Sequence, residues 1–255
     1  MTSPLHITSR DNPLLKRLRQ LVQHSSAYRK QGQVWLEGDH LCRAALARGW
    51  APLVAVYSEE NWPSTLFDID ASAIKTVIIP TSLMRELTTL ETPAPMGFVL
   101  NMPLDPSLEP NVPTVVLDRV QDAGNVGSIL RSASAFGYRQ VIAIKGTAAL
   151  WSSKVLRAGM GAHFGLNLLE GLSESDLDAL AMPLVVTSSH QGEWLHQAQL
   201  PWPCAWVMGH EGQGVSPAVM AKAQHRMRIA QPGGEESLNV AAAAAICLHA
   251  SAPKP

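Results

Sequence analysis

The chain has 255 residues, of which 46% are hydrophobic and 16% are charged, and its formal net charge is −1. This amount of apolar material can fill one large or two modest domains and excludes a disordered chain. The sequence has no run of about eighteen apolar residues, which excludes a membrane-spanning helix, and residues 1–15 lack the apolar core of a signal peptide, so we expect a cytoplasmic protein.

Basic residues are concentrated at the start of the chain. Residues 1–50 carry eight basic and three acidic side chains, a formal charge of +5, which leaves −6 for the remainder. Six of the basic residues are candidates for contacts with the phosphate backbone of a nucleic acid: Arg10, Lys16, Arg17, Arg19, Arg29 and Lys30. The alternative is a solvated helix surface, and charge alone does not decide between the two.

The first 95 residues predict a small α/β unit. Residues 12–31 are expected to form one helix, because Asn12 can cap it and the leucines that follow make an apolar stripe. The other predicted elements of this unit are strands at Val34–Glu37, Leu53–Tyr57 and Thr76–Ile79, and helices at Asp39–Arg48, near 63–68 and near 81–88.

A proline-rich stretch follows this unit. Six prolines between residues 92 and 113 exclude a continuous helix. They predict a linker at 101–112 between a first domain, 1–100, and a second domain, 113–255. Gly97–Asn101 can form one further strand before the linker.

The second domain alternates predicted strands with helices. The strands are expected at Thr114–Leu117, Gln140–Ile144, Leu166–Leu168, Leu184–Thr187, Ala205–Met208 and Arg226–Ile229, and a last helix at Val240–His249. Such alternation predicts an α/β fold whose parallel sheet is covered on both faces.

The first motif of this domain follows its first strand. Residues 117–137 place Asn125 and Arg131 around a glycine-bearing turn, and both can border one cleft if a helix begins near Val126. Helix N-terminal amides and an arginine suit a phosphate and its neighbouring sugar. The alternative is an ordinary turn with a surface arginine.

Two further motifs follow later strands. In residues 207–217, Glu211 stands among three glycines at the carboxyl end of a strand, where open α/β sheets bind ligands, and Ser216 suits a helix cap. In residues 229–240, Ser237 and Asn239 precede an alanine-rich helix. The alternatives are a glycine-rich surface turn for the former and simple helix capping for the latter.

Other site types are disfavoured. The glycines of Gly159–Gly165 resemble a dinucleotide fingerprint, but their spacing is off and they follow a predicted helix, which argues against a nicotinamide-dependent oxidoreductase. The three cysteines, Cys42, Cys204 and Cys247, match neither a disulfide framework nor a metal site, so we expect buried thiols. The histidines show no metal spacing either.

Taken together, the three motifs resemble those of the SpoU (TrmH-like) branch of the SPOUT RNA methyltransferases. They occur in the family's order: Gly-Asn-Val-Gly-Ser-Ile-Leu-Arg at 124–131, Gly-His-Glu-Gly-Gln-Gly at 209–214 and Glu-Ser-Leu-Asn-Val at 236–240. The segment from Lys154 to His163 also fits. The N-terminal residues 7–16 and 36–38 are similar to the family's substrate-binding domain, which is related to the ribosomal L30e fold.

The resemblance implies an S-adenosylmethionine-dependent transfer of methyl to a ribose 2′-hydroxyl, with ribosomal RNA favoured over transfer RNA. It also implies a C-terminal trefoil knot, no metal, and a homodimer with the active site at the subunit interface. The implied catalytic residues are Arg131, Asn125, Glu211, Ser237 and Asn239. The implied cofactor residues are Gly209, Ile229, Leu238, Thr187, Ser188 and Glu211.

The chain departs from the family pattern at two positions. Ala230 stands where a proline is usual, and His210 stands where an asparagine is usual. Because backbone groups are expected to bind much of the cofactor, neither change should abolish binding. The alternative function is an RNA-binding protein that keeps the fold without the chemistry.

Overall fold

The structure of the protein is a computed structural model that describes residues 3–62, 74–103, 105–188, 191–234 and 237–253. These residues form two compact units. The first unit contains residues up to 103 together with Trp151–Phe164, and the second contains 105–150 and the residues from Gly165 onward. No helix in the described part of the chain is both long and apolar enough to cross a membrane.

The regular elements are numbered in chain order. The strands are β1 (Leu5–His6), β2 (Gln33–Glu37), β3 (Val54–Ser58), β4 (Lys75–Ile79), β5 (Met96–Asn101), β6 (Thr114–Asp118), β7 (Gln140–Ile144), β8 (Asn167–Leu172), β9 (Leu184–Thr187), β10 (Glu193–Trp194), β11 (Ala205–Gly209) and β12 (His225–Arg228). The helices are α1 (Pro13–Gln23), α2 (Ala27–Gln31), α3 (Asp39–Ala47), α4 (Thr81–Met84), α5 (Ala123–Ala135), α6 (Ser153–Gly159), α7 (Pro217–Lys222) and α8 (Val240–Ser251).

The first unit is an α/β unit with a mixed five-stranded sheet of order β1-β4-β3-β5-β2. β4 pairs parallel with β1 and β3, whereas β5 pairs antiparallel with β3 and β2. The predicted strands of this half are therefore present, and Gly97–Asn101 lies in β5. The helix predicted near 63–68 lies outside the described residues.

The single helix predicted over residues 12–31 is wrong, because two helices occupy this range. Asn12 caps α1 as expected, accepting a hydrogen bond from the Leu14 amide at 2.9 Å. The chain then leaves helical geometry at His24, which has extended dihedral angles, and α2 begins only after Ser26. Serine side chains compete for backbone hydrogen bonds, which disfavours helix continuation at this point.

A segment from the second half of the sequence packs into the first unit. Within Trp151–Phe164, the Arg157 guanidinium lies 3.5 Å from the Glu37 carboxylate and donates to Thr89 at 2.9 Å. Gly161 has a φ of +73°, and a methyl group there would overlap with the side chain of Ala44. The same segment contains Gly159 at the end of α6, so no strand precedes these glycines.

The second unit confirms the predicted parallel sheet. Its seven strands have the order β10-β12-β9-β11-β6-β7-β8, and every neighbouring pair is parallel. β6, β7 and β11 are buried along their whole lengths. A core cluster that includes Val116, Ile142, Val186 and Val207 holds the sheet against Val219 of α7.

Helix α5 begins earlier than predicted. Asp122 is its N-cap, accepting a hydrogen bond from the Asn125 amide at 2.8 Å, so Asn125 lies in the first turn rather than before the helix. A start near Val126 is therefore wrong. The predicted cap of α7 is confirmed, because the Ser216 hydroxyl accepts from the Val219 amide and Pro217 is the first helical residue. The three cysteines are buried, free thiols, as expected.

Candidate active site

The second and first motifs meet at the carboxyl ends of two neighbouring strands. β11 and β6 run side by side, with Gly209 in register with Asp118, so the segments that follow them start from the same edge of the sheet. In open parallel sheets, ligands bind at this edge. The candidate site is therefore built where a central pair of strands ends.

The glycine-rich segment 209–214, which we call the motif 2 loop, is closed by its own backbone. The His210 amide donates to the Gly214 carbonyl at 3.0 Å, and the Gly214 amide donates to the His210 carbonyl at 2.8 Å. Gly209 has no room for a side chain, because a methyl group there would overlap with the backbone of Gly214 and Val215. The glycine is thus required by close approach of two backbone segments.

Glu211 ties the motif 2 loop to the turn that precedes α5. Its carboxylate accepts hydrogen bonds from the amides of Gln121 and Asp122, at 3.1 and 3.0 Å, and from the side-chain amide of Asn125 at 3.1 Å. Burial alone would raise the pKa of this carboxyl, but the hydrogen bonds from Asn125, Asp122 and Gln121 outweigh it and lower the pKa to about 2. Glu211 is therefore ionised throughout the physiological range.

Asn125 and Asn239 join the first and third motifs. The Asn239 side-chain amide donates to the Asn125 side-chain oxygen at 3.0 Å. The Asn239 oxygen in turn caps α8 by accepting from the amides of Ala241 and Ala242. The capping role weighed from the sequence is thus present, and the same side chain also holds Asn125, which holds Glu211.

Asp118 is a further residue of the candidate site, beside Glu211, Asn125 and Asn239, and the sequence analysis missed it. Its side chain is fully buried, accepts a hydrogen bond from the Ser216 amide and pairs with Arg119 at 3.0 Å. Arg119 extends the connection by donating to the Gln213 side chain at 3.1 Å. An acidic residue that ends an apolar strand was the available signal, because a buried carboxylate requires partners.

A cavity of about 480 Å³ lies beside the motif 2 loop. All six residues predicted to bind the cofactor line this cavity: Thr187, Ser188, Gly209, Glu211, Ile229 and Leu238. Ser237 lines it as well, and so do residues that the sequence analysis did not name, among them Met220, Met227 and Gln231. The volume is in the range of small-molecule pockets, and the mixture of apolar side chains, hydroxyls and backbone groups fits a nucleoside with a polar tail.

Arg131 is not part of this hydrogen-bond network. It is exposed on α5, and its side chain forms no ion pair with any residue in the described ranges. The structure therefore brings Asn125, Glu211 and Asn239 together and leaves the Arg131 side chain in solvent, where it can receive an anion.

The six basic residues of the first unit differ in their environments. Arg10 and Arg19 both pair with Glu86, and Lys16 pairs with Asp11 at 2.9 Å. Burial alone would raise the pKa of the Glu86 carboxyl, but the hydrogen bonds from Arg19 and Arg10 lower this pKa. The guanidinium of Arg29 lies 5.5 Å from the ring centre of Tyr28, and Arg17 and Lys30 are exposed.

Among the residues that the structure describes, no cluster of histidine, cysteine, aspartate and glutamate could hold a metal ion. The side chains gathered at the candidate site are mainly amides, hydroxyls and the carboxylates of Glu211 and Asp118, and both carboxylates are engaged by protein donors.

Substitution of Gly209 by alanine is expected to abolish detectable binding of S-adenosylmethionine, the cofactor that the motif resemblance implies, while the fold of the first unit persists. The added methyl group overlaps with backbone rather than with a flexible side chain, so the motif 2 loop must open. Isothermal titration calorimetry measures the loss. The Gly212→Ala protein is the matched control, because a methyl group there makes only ordinary contacts with His210; equal affinities in the two variants would contradict this reading of the loop.

Comparison with known proteins agrees with this geometry. The family model described as the SpoU rRNA Methylase family matches residues 113–249. The 23S rRNA (guanosine(2553)-2′-O)-methyltransferase RlmP of Bacillus subtilis is 30% identical over 248 residues, which cover 95% of this chain and 97% of that enzyme.

Two solved structures are similar over nearly the whole chain. A putative RNA methyltransferase of the TrmH family from Porphyromonas gingivalis is 31% identical with a TM-score of 0.81, covering 92% of this chain and 95% of that chain. An AdoMet-bound rRNA methyltransferase from Sinorhizobium meliloti is 25% identical with a TM-score of 0.83, covering 96% of both chains.

The resemblance stated from the three motifs is confirmed by these matches. The family model covers more than half of the chain, and the Bacillus relative matches almost all of it. The chain therefore belongs to the SpoU rRNA methylase family.

Proposed function

We propose that this protein transfers the methyl group of S-adenosylmethionine to a ribose 2′-hydroxyl of ribosomal RNA, at the site formed by the three motifs. The observation that carries the proposal is the chain of hydrogen bonds from Asn239 through Asn125 to Glu211, which borders the cavity lined by the predicted cofactor residues. The names of the Bacillus and Sinorhizobium relatives support ribosomal RNA over transfer RNA.

The residues of the cavity fit S-adenosylmethionine. Ile229, Leu238 and Met227 offer apolar contacts for an adenosine, and Thr187 and Ser188 offer hydroxyls. When bound there, S-adenosylmethionine supplies a methyl group on a positively charged sulfur, and this positive charge disappears on transfer.

Arg131 is assigned to the RNA substrate. Its guanidinium is exposed and carries five donors in a planar fork, which suits the 3′-phosphate next to the target ribose. Held in this way, the phosphate orients the ribose, and Arg131 polarises the 2′-hydroxyl. The proton of that hydroxyl passes to the phosphate or to water, because an arginine keeps its own proton in proteins.

The other catalytic assignments follow from the network. Asn125 and Asn239 position the ribose and hold two motifs at a fixed distance, Glu211 holds the turn before α5, and Ser237 lines the cavity. Orientation of a poor nucleophile accounts for much of the catalysis available without a strong base.

Residues 1–100, which lie in the first unit, are assigned to RNA binding as an L30e-like domain, followed by a linker at 101–112. Arg17 and Lys30 are exposed there, and Arg10, Lys16, Arg19 and Arg29 lie on the same helices or just before them. The basic charge of residues 1–50 supports this assignment. A trefoil knot within 113–255 and a cytoplasmic location complete the proposal.

A homodimer is proposed because the second unit presents an apolar groove of about 770 Å³. The groove is formed by α8, by the residue that follows α5, and by the segments that follow β10 and β12. Ile246 of α8 is 42% exposed in this groove, which is unusual for a large aliphatic side chain next to so much apolar surface. The groove is lined by Phe136, Leu195, His196, Ile229, Ala230, Ala245, Ile246, His249 and Ala250. A second copy of the chain would cover this surface.

The Ile246→Glu protein is expected to be a monomer at micromolar concentration, because a buried unpaired carboxylate at each side of an interface costs several kcal/mol. Sedimentation velocity measures the change of state. Leu90, which is 48% exposed in the first unit, provides the matched variant Leu90→Glu, which should remain dimeric. A wild-type protein that sediments as a monomer would contradict the proposed homodimer.

The function is tested with purified protein, labelled S-adenosylmethionine and RNA from host cells that lack this protein. We expect label in 23S or 16S ribosomal RNA and none in transfer RNA. Label in transfer RNA alone would overturn the choice of substrate. Binding of RNA without binding of S-adenosylmethionine would favour the alternative of an RNA-binding protein without chemistry.

A further inference from the structure

His210 holds the motif 2 loop with its side chain as well as with its backbone. The Nδ1 atom of its imidazole accepts hydrogen bonds from the Gly212 amide at 3.0 Å and from the Gln213 amide at 3.2 Å. With the two backbone bonds between His210 and Gly214, four hydrogen bonds close this five-residue turn, and two of them end on one ring nitrogen.

This arrangement uses one ring nitrogen as an acceptor. A nitrogen that accepts N–H donors carries no proton, so the two hydrogen bonds require an unprotonated Nδ1. A protonated imidazole has no acceptor, and it would point an N–H group at two other N–H groups. Only the neutral ring can therefore close the loop in this way.

The amides that His210 fixes belong to the cofactor cavity. His210, Gly212 and Gln213 all line it, together with Glu211. Because Glu211 reaches Gln121, Asp122 and Asn125, a displaced loop would also disturb the first motif. The conformation of the motif 2 loop is thus linked both to the cofactor cavity and to the first motif.

We propose that His210 is a positioning residue for S-adenosylmethionine binding, and that protonation of its imidazole opens the motif 2 loop and lowers cofactor affinity in acid. The inference rests on the proposed function, since it concerns the same cavity. An asparagine side-chain oxygen could accept from the same two amides, in the manner of a local side-chain turn, but it does not titrate. The histidine therefore adds a dependence on pH that asparagine would not have.

The charged groups that contacts place around the loop, in the residues described, are Glu211 within it and Asp118 and Arg119 at the end of β6. Glu211 accepts from the amides of Gln121 and Asp122 before α5 and from the Asn125 side chain in its first turn. Its pKa is about 2, so it stays ionised at the pH values used below. Arg119 reaches the loop through the Gln213 side chain and pairs with Asp118. All three are unchanged when only His210 is substituted.

The test compares the S-adenosylmethionine affinity of the full-length wild-type, His210→Asn and His210→Ala proteins by calorimetry at pH 8.0 and at roughly pH 5.5, the acid side of ordinary histidine titration. At pH 8.0 we expect His210→Asn to bind within about threefold of wild type and His210→Ala to bind about tenfold more weakly, as for the loss of two neutral hydrogen bonds. At the lower pH the ratio of wild-type to His210→Asn affinity should fall by about tenfold. Using the ratio cancels the titration of the ligand's own amino group.

A histidine that is exposed at the end of α1 supplies the control, because His24→Asn should keep the wild-type pH profile. Thermal melting of each protein at both pH values shows whether the variants remain folded. A ratio that does not change with pH, or wild-type affinity in His210→Ala, would overturn the role of His210. Failure of the wild-type protein to bind S-adenosylmethionine at either pH would instead overturn the proposed function.

Discussion

Substitution of Arg131 by alanine will lower the rate of methyl transfer by about a hundredfold to a thousandfold, the range seen when a single group that stabilises a transition state is removed. Arg131 is exposed on α5 and has no ion-pair partner within the described residues, so its charge is available for the phosphate beside the target ribose. S-adenosylmethionine affinity should change by less than about twofold, because Arg131 does not line the cofactor cavity. The measurement is a single-turnover assay with labelled cofactor and ribosomal RNA.

One variant separates the geometry of Arg131 from its charge, and a second, at another arginine, is the control. Arg131→Lys keeps the charge but loses the planar fork, so we expect it to recover only a small part of the rate. Arg139 is an exposed arginine of the same unit, and Arg139→Ala should transfer methyl at the wild-type rate. Wild-type turnover by the Arg131→Ala protein would show that Arg131 has no role in the reaction.

Substitution of Glu211 by glutamine is expected to weaken S-adenosylmethionine binding by tenfold or more and to lower turnover by about a hundredfold. The carboxylate accepts from three donors, whereas the glutamine amide replaces one oxygen by a donor, so at least one N–H group of Gln121, Asp122 or Asn125 loses its partner. The fall in turnover beyond the fall in affinity follows from the displacement of Asn125, which belongs to the first motif and is held by Glu211. Calorimetry and single-turnover assays at saturating cofactor measure the two effects separately.

The pKa of Glu211 also sets the lowest pH at which its hydrogen bonds to the turn before α5 and to Asn125 are kept. Since the hydrogen bonds lower its pKa to about 2 in the folded protein, its stabilising effect is fully present above the ordinary value near 4.5 and is lost as the pH falls toward 2. The Glu211→Gln defect should therefore be the same at pH 6 and pH 8. Glu193, an exposed glutamate of the same unit, provides the control Glu193→Gln; an equal defect in that variant would show that the effect is not specific to the network.

Most of the second unit could be predicted from its sequence. The strands Gln140–Ile144 and Leu184–Thr187 have the bounds that their apolar runs predict, because buried parallel strands are continuous hydrophobic segments between turns. Ser216 and Pro217 gave the start of α7, since both residue types have a strong positional preference at a helix start. Neither two-residue strand, β1 or β10, was predicted, because so short a run carries no periodicity.

The hydrogen bonds of the candidate site were less predictable than the residues that form them. Asn125, Glu211 and Asn239 were named from their motifs, yet the bonds that join them connect residues 86 and 114 positions apart, and no local pattern encodes such pairs. Asp118 was missed because a single acid at the end of a strand resembles many surface turns. The role of His210 was also missed, since it depends on which ring nitrogen faces the amides of the loop.

The most direct test of the central claim is the chemical position of the transferred methyl group. Ribosomal RNA from host cells lacking the protein is incubated with labelled S-adenosylmethionine and the wild-type enzyme, and is then hydrolysed with alkali and analysed by mass spectrometry. The account predicts one labelled dinucleotide that resists hydrolysis, because a methylated 2′-oxygen cannot attack the neighbouring phosphate, and a rate of its formation about a hundredfold to a thousandfold lower with Arg131→Ala. Label recovered on a nucleobase after complete hydrolysis would contradict transfer to ribose.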